Sequence, residues 1–402
     1  MRASRLALSA LAGLSLALPA LANSLPWAQR PHTGELLYKL KESVGRSHPV
    51  FSHFGLPPHD PRALLQLIRP AVTGPKLEEL RQEMLRSAAF KFVEYNTIED
   101  EDDEAPSELD SDLQWHHVNI GTLEAWRTTK GEGSVTVAVC DSGAQPDHED
   151  LAANLLPAWN LVENNSNPTP TTSHGTFVAG IIAASLNELG GVGVAPQVKL
   201  LPIRISNAKG GTTMKLITDC IRLAADRGAR VINVSFTGVE SRVVEEAGQY
   251  AAQRGALLVY AAGNQGKLRS LSTYPDYPHV LAVGATTKDD RRWTYRKNIF
   301  SSGGSNYGAF IDLVAPGHNI YSTTIYRGSQ ARYRSGSGTS YAAPVVSGVA
   351  ALVFAVNPLL APKQVEQILL ESADPIGSEN VFGAGRVNAH EAVRLALKSL
   401  GQ

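Results

Sequence analysis

Cysteine is nearly missing from this chain: its 402 residues contain two, Cys140 and Cys220. So few exclude a disulfide-built scaffold. Cys140 sits in a stretch that reads as an apolar strand and Cys220 in one that reads as a helix. Two buried free thiols are the expected state, with a single bridge as the alternative. Nowhere do Cys and His recur at the spacing of a zinc tetrad. Net charge is lacking as well. Lys and Arg number 37 against 38 Asp and Glu, a formal charge of −1, so nucleic acid is not an expected partner. Long apolar runs are also scarce. The run from Leu6 to Leu18 is too short to cross a bilayer and is soon followed by polar sequence.

What is present begins with an export signal. Arg2 and Arg5 form a charged start, residues 6–18 an apolar centre, and Ala20-Leu-Ala22 a small-x-small cleavage site. No Cys follows that site, so a lipid anchor is not indicated. Residues 1–22 are therefore expected to direct the chain out of the cytoplasm, secreted or periplasmic, with no membrane anchor and as a monomer.

Residues 23–96 read as a small α+β unit. Glu35 to Lys41 and Phe90 to Tyr95 alternate like strands, and Lys76 to Arg86 has helical spacing, with Leu77 and Leu80 on one face. About 70 residues with so small a core are marginal alone, so the unit is expected to lean on something larger. Residues 97–112 form a boundary. Ile98-Glu-Asp-Glu-Asp-Asp-Glu104 repels itself and stays solvated, and such linkers are where proteases cut.

From residue 113 to 402 the pattern alternates. Strands are predicted over 134–140, 198–205, 229–235, 256–262 and 280–285, and helices over 175–186, 214–227 and 242–254. The apolar share of 43% supports a real core. Alternation of this kind predicts an α/β fold: a doubly wound, mostly parallel sheet with helices on both faces. Its chemistry belongs in the crevice at the carboxyl ends of the strands.

Four polar residues fall at element boundaries on that edge. Asp141 directly follows the 134–140 strand; standing alone it reads as a turn or cap residue. His174 opens a helix, which favours the neutral ring that a base requires. Asn264 ends the 256–262 strand beside Gly263, where an amide can meet an oxyanion. Ser340 opens an apolar run through Val356 that reads as a buried helix, with Pro344 expected in its first turn.

The order Asp141, His174, Ser340 closely resembles the subtilisin-like serine peptidases, the subtilases. The resemblance spans about residues 114–393. It rests on Val139-Cys-Asp-Ser-Gly143, His174-Gly-Thr-Phe-Val-Ala-Gly180, Gly191-Val-Gly-Val-Ala-Pro196, Asn233-Val-Ser235, Ala262-Gly-Asn264, Val314-Ala-Pro-Gly317, Gly338-Thr-Ser-Tyr-Ala-Ala-Pro344 and Gly383-Ala-Gly-Arg-Val-Asn388. It implies a secreted serine endopeptidase working through an acyl-enzyme on peptide or protein substrates. Ser340 would be the nucleophile, His174 the base and then acid, Asp141 its orienter, and Asn264 an oxyanion donor. No cofactor is required for that chemistry. Substrate would lie along Ser235-Phe236-Thr237-Gly238 and near 205–211. Phe236-Thr237 replaces the family's usual Leu-Gly, and Thr273 its usual Gly, which implies a narrower, more polar specificity pocket. Asp150 and Asn187 fall where the family holds a structural calcium, with Gln114 a third ligand. Residues 23–96 resemble the inhibitory propeptide, which would pack its sheet on the catalytic domain; the enzyme would first cut its own chain within 96–113, and the cut product would remain as a tight inhibitor until degraded.

Three rival readings are weighed. A catalytically silent peptide-binding homologue would have lost one of the four residues, and all are present. An α/β-hydrolase esterase needs Gly-x-Ser-x-Gly and places Ser before His. A dinucleotide site at Gly191-Val-Gly193 lacks the third glycine.

Overall fold

The computed structural model describes residues 32–41, 49–54, 56, 66–72, 75–99, 113–167, 169–298, 301–326, 328 and 331–401. The expected export signal and residues 100–112 of the expected linker lie outside them.

The N-terminal unit consists of β1 (His32–Leu40), β2 (Gln66–Ile68), α1 (Pro75–Arg86) and β3 (Phe90–Glu99). Both β2 and β3 pair antiparallel with β1. Strand alternation gives the sheet two different faces. Leu36, Tyr38, Val93 and Tyr95 meet Leu77 and Met84 of α1 in the unit's own core. Leu37 and Phe92 point the other way and join the core of the larger domain. The unit therefore leans on a partner surface, as its size demands. Thr97, Ile98 and Glu99, assigned to the linker by composition, continue β3.

The larger domain is built on β4 (Thr136–Asp141), β5 (Trp159–Asn160), β6 (Lys199–Arg204), the short β7 (Thr212–Thr213), β8 (Val231–Val234), β9 (Leu257–Ala261), β10 (Leu281–Thr286), the hairpin of β11 (Thr294–Asn298) and β12 (Ser301–Gly304), and β13 (Leu313–Pro316). Seven of these form one sheet, in spatial order β13-β10-β9-β8-β4-β6-β5. Every pairing between these neighbours is parallel.

Its main helices are α2 (His174–Ala183), α3 (Met214–Asp226), α4 (Arg242–Gln253), α5 (Thr339–Val356), α6 (Pro362–Glu371) and α7 (Ala389–Lys398). Residues of α2, α5, α6 and α7 cover one face with Val137 and Val139 of β4. Residues of α3 and α4 cover the other with Ala138 and Cys140. A strand buried on both faces is apolar throughout, which is why Thr136-Val-Ala-Val-Cys140 reads as a continuous run. The apolar α5 has the length to cross a membrane, but 89% of it is buried inside the protein.

Cys140 and Cys220 form a disulfide with Cα atoms 6.0 Å apart, which corrects the expectation of free thiols. Cys140 occupies the β4 face that packs on α3, and α3 carries Cys220. The bridge ties the end of β4 to that helix.

Candidate active site

The carboxyl ends of β4, β8 and β9, together with the starts of α2 and α5, bring four polar residues to one place. Asp141 is the last residue of β4 and is fully buried. Its Oδ1 accepts the Ser142 amide at 2.7 Å. Both its oxygens face His174 Nδ1, at 3.0 and 3.1 Å. This approach needs Gly175: a Cβ there would meet the Gly143 carbonyl at 2.2 Å and stand 3.0 Å from Asp141 Oδ1. The His174 ring lies 5.7 Å from that of Tyr341, the residue after Ser340, and 6.3 Å from that of Phe236.

Ser340 is the second residue of α5, whose N-cap is Gly338. Amides in a first turn have no intrahelical acceptor, so their N–H groups point outward. Pro344 is inside the second turn, not the first as expected. Proline has no N–H for the carbonyl four residues back, which is that of Ser340. Ser235 Oγ donates to that carbonyl instead, at 2.9 Å. Ser340 Oγ in turn donates to the Ser235 carbonyl at 3.2 Å. Asn233 Nδ2 holds Ser235 Oγ at 2.9 Å, and Ser347 Oγ donates to Asn233 Oδ1 at 3.0 Å. The Asn233-Val-Ser235 motif is thus the polar bed beneath the start of α5.

Asn264 Oδ1 accepts the Thr339 amide at 2.9 Å and the Thr339 hydroxyl at 2.8 Å. These bonds fix the amide plane and turn the N–H₂ group away from Thr339. Thr339 Oγ1 also accepts the Gly263 amide at 3.0 Å. Sequence reading singled out Asn264 and Ser340 but gave Thr339 no role, although it lies inside the quoted Gly338-Thr-Ser340 motif.

The residues expected to line a specificity pocket are placed differently from one another. Phe236 is fully buried, in the core with α3 and α4. Thr237 follows it, buried, its carbonyl accepting the Tyr260 hydroxyl at 2.7 Å. Thr273 is exposed on a tight turn, its hydroxyl bonded to the Ser270 carbonyl at 3.2 Å.

Asp150 and Asn187 flank the loop after α2. Asp150 is buried; Oδ2 accepts the Gly191 amide at 3.3 Å and Oδ1 has no hydrogen-bond partner. Asn187 Oδ1 accepts the Leu189 amide and Nδ2 donates to the Glu149 carbonyl. Gln114 Nε2 donates to the Val192 carbonyl at 2.9 Å. Asp150, Asn187 and Gln114 thus hold neighbouring amides of one loop through their oxygens, and the orphaned Asp150 Oδ1 is a hard oxygen of the kind calcium takes. Among the described residues, no cluster of three His, Cys, Asp or Glu could hold a metal.

The family model described as the subtilase family matches residues 132–385. Thermitase of Thermoactinomyces vulgaris is 35% identical over 291 residues, covering 71% of this chain and 97% of thermitase. Subtilisin Savinase of Lederbergia lenta is 38% identical over 269 residues, covering 67% of this chain and 93% of that protein. A solved structure of fervidolysin from Fervidobacterium pennivorans, described as a keratinolytic enzyme related to subtilisin, matches with a TM-score of 0.72 at 25% identity. That match covers 90% of this chain but spans 61% of fervidolysin. The parallel sheet, the Asp, His, Ser order along it and these matches agree: the chain belongs to the subtilase family and is a serine-type endopeptidase.

Proposed function

We propose that the chain is the precursor of an exported endopeptidase that cuts peptide bonds through an acyl-enzyme on Ser340. A serine hydroxyl is too weak an acid to attack unaided, so a base must take its proton as the bond forms. His174 is that base, and later the acid that protonates the leaving amine. The observation that carries this is the double approach of Asp141 to His174 Nδ1. It holds one tautomer and favours the transient imidazolium. The Asn264 amide, turned by Thr339, and the Ser340 N–H at the start of α5 stabilise the oxyanion. Asp150, Asn187 and Gln114 would hold a structural calcium, which takes no part in the chemistry.

Residues 23–96 act as the inhibitory propeptide. Three contacts support this. β3 pairs antiparallel with β7, Ile98 opposite Thr213 and Glu99 opposite Thr212, so the closing strand runs on along the catalytic domain. Glu246 of α4 is gripped by Lys39 and Lys91 of the N-terminal unit. Ser241, the N-cap of α4, donates to Glu94 at 2.7 Å.

The test is intact mass and N-terminal sequencing of wild type and Ser340→Ala from the same host. Wild type is expected to start close to Gln114 and Ser340→Ala to keep residues 23–112. Equal trimming of both would assign the cut to another protease and end the self-processing reading.

A further inference from the structure

A cavity of about 500 Å³ opens between the segment after Asn264 and the β11–β12 hairpin. The polar side chains of Gln265, Arg292, Thr294, Arg296 and Ser302 line it together with Tyr295, and no Asp or Glu does among the described residues. Trp293 is buried and stacks on Tyr295, their centroids 5.4 Å apart; Arg292, Thr294 and Arg296 alternate with these two along β11, and the half-buried Tyr295 also borders the cavity. The two cations differ in freedom. Arg292 donates to the Ser305 carbonyl at 2.7 Å and lies over the Tyr307 ring at 4.5 Å, so it is fixed. Arg296 is exposed and has no ion pair among the described residues. In a chain of net charge −1, two arginines on a cavity lined by no Asp or Glu among the described residues form a place for an anion; Asp289 borders Arg292 on the neighbouring cavity, beside Lys288 and Arg291.

The hairpin is bonded to the oxyanion residue. The Gly304 amide donates to the Asn264 carbonyl at 2.9 Å, and the Gly266 amide to the Gly304 carbonyl at 2.6 Å. Its side of the cleft follows from the sheet. On the propeptide reading above, the chain leading to its own cut runs through β3, which pairs with β7, so the N-terminal half of a bound peptide takes that side. The hairpin follows β10, on the far side of β9 from β8. Arg292 and Thr294 also border His318 and Asn319, which bond to Ser337, three residues before Ser340.

We propose that this cavity binds a carboxylate on the leaving-group side of the scissile bond, so that the enzyme favours substrates with Asp or Glu a few residues past the cut. The proposal rests on the peptidase reading above. A free C-terminal carboxylate has the same chemistry; the side-chain carboxylate is proposed, because an endopeptidase meets chains that continue past the cut.

The test uses mature enzyme and C-terminally amidated peptides identical except for Asp, Ala or Lys at the second and third positions after the cut. One further arm carries Ala with a free C-terminus. The readout is the ratio of kcat/KM for Asp over Ala peptides. It is expected to be roughly tenfold in wild type, to fall to about twofold in Arg296→Ala, to favour Lys in Arg296→Glu, and to shrink as salt rises. A wild-type ratio near one, a ratio indifferent to Arg296, or a gain seen only with the free terminus would overturn the proposal while leaving the peptidase reading intact. Cleavage of no peptide at all would overturn both.

Discussion

Ser235 and Ser340 hold one another: Ser235 Oγ donates to the Ser340 carbonyl at 2.9 Å, and Ser340 Oγ donates to the Ser235 carbonyl at 3.2 Å. Residue 344 is proline and has no N–H to offer that carbonyl. Ser235→Ala therefore removes a donor from a buried carbonyl at the turn that carries the proposed nucleophile. It should destabilise the protein by about 1–3 kcal/mol and lower kcat more than it alters KM. Thermal unfolding and steady-state kinetics read both. A variant of unchanged stability and kcat would show that the bond positions nothing.

Asn264→Ala removes the donor proposed to act on charge developing in the transition state, so kcat should fall while KM changes little. The size, roughly 3 kcal/mol, is the one known for such a donor in a subtilisin and is carried over to this chain. Thr339→Val, which removes one of the two Thr339 bonds to Asn264 Oδ1, should lower kcat in the same direction but less. An Asn264→Ala enzyme with normal kcat would remove Asn264 from the mechanism.

Much of this site was legible from sequence because each member stands at an element boundary. Asp141 ends an apolar strand, His174 opens a helix and Asn264 ends another strand; period alone locates such points. What the sequence left hidden depends on contacts across the fold. Whether Cys140 meets Cys220 turns on which face of β4 packs against α3. Pro344 reads as a first-turn residue until the helix start is seen at Thr339. Thr273 and Phe236 look alike as pocket residues by motif, yet one is exposed on a turn and the other buried in the core. The docking of the N-terminal unit through Lys39, Lys91 and Glu246 joins residues some two hundred positions apart, beyond the reach of any local pattern.

Propeptide release should depend on pH. Burial at the start of α4 raises the carboxyl of Glu94 above its ordinary value. The docked form thus holds a proton that the released form gives up, so docking is favoured at low pH and weakens as pH rises through the raised value. Glu246 runs the other way. Burial would raise it, but Lys39 and Lys91 carry it below its ordinary value, and its contribution is lost only in more acidic solution. Upward from about pH 5, outside the ordinary carboxylate range, Glu94 sets the sign. Native mass spectrometry of the cleaved precursor should show more retained propeptide at low than at neutral pH, and Glu94→Gln should flatten that trend. Retention that rises with pH would contradict the assignment.

Calcium at Asp150 and Asn187 would bind the native state alone. At a concentration a hundredfold above its dissociation constant it adds about 2.7 kcal/mol. Chelation should lower the thermal midpoint, added calcium should restore it, and Asp150→Asn should blunt both effects. A midpoint indifferent to chelator and calcium would leave the loop after α2 without a metal.

The most direct test of the central claim is labelling of the mature enzyme with an active-site serine phosphonate, followed by peptide mapping. A neutral, activated Ser340 beside His174 predicts one adduct per chain, on Ser340, formed in step with loss of peptidase activity and absent in His174→Ala. Failure to label, or an adduct on a different serine while activity is lost, would contradict the account.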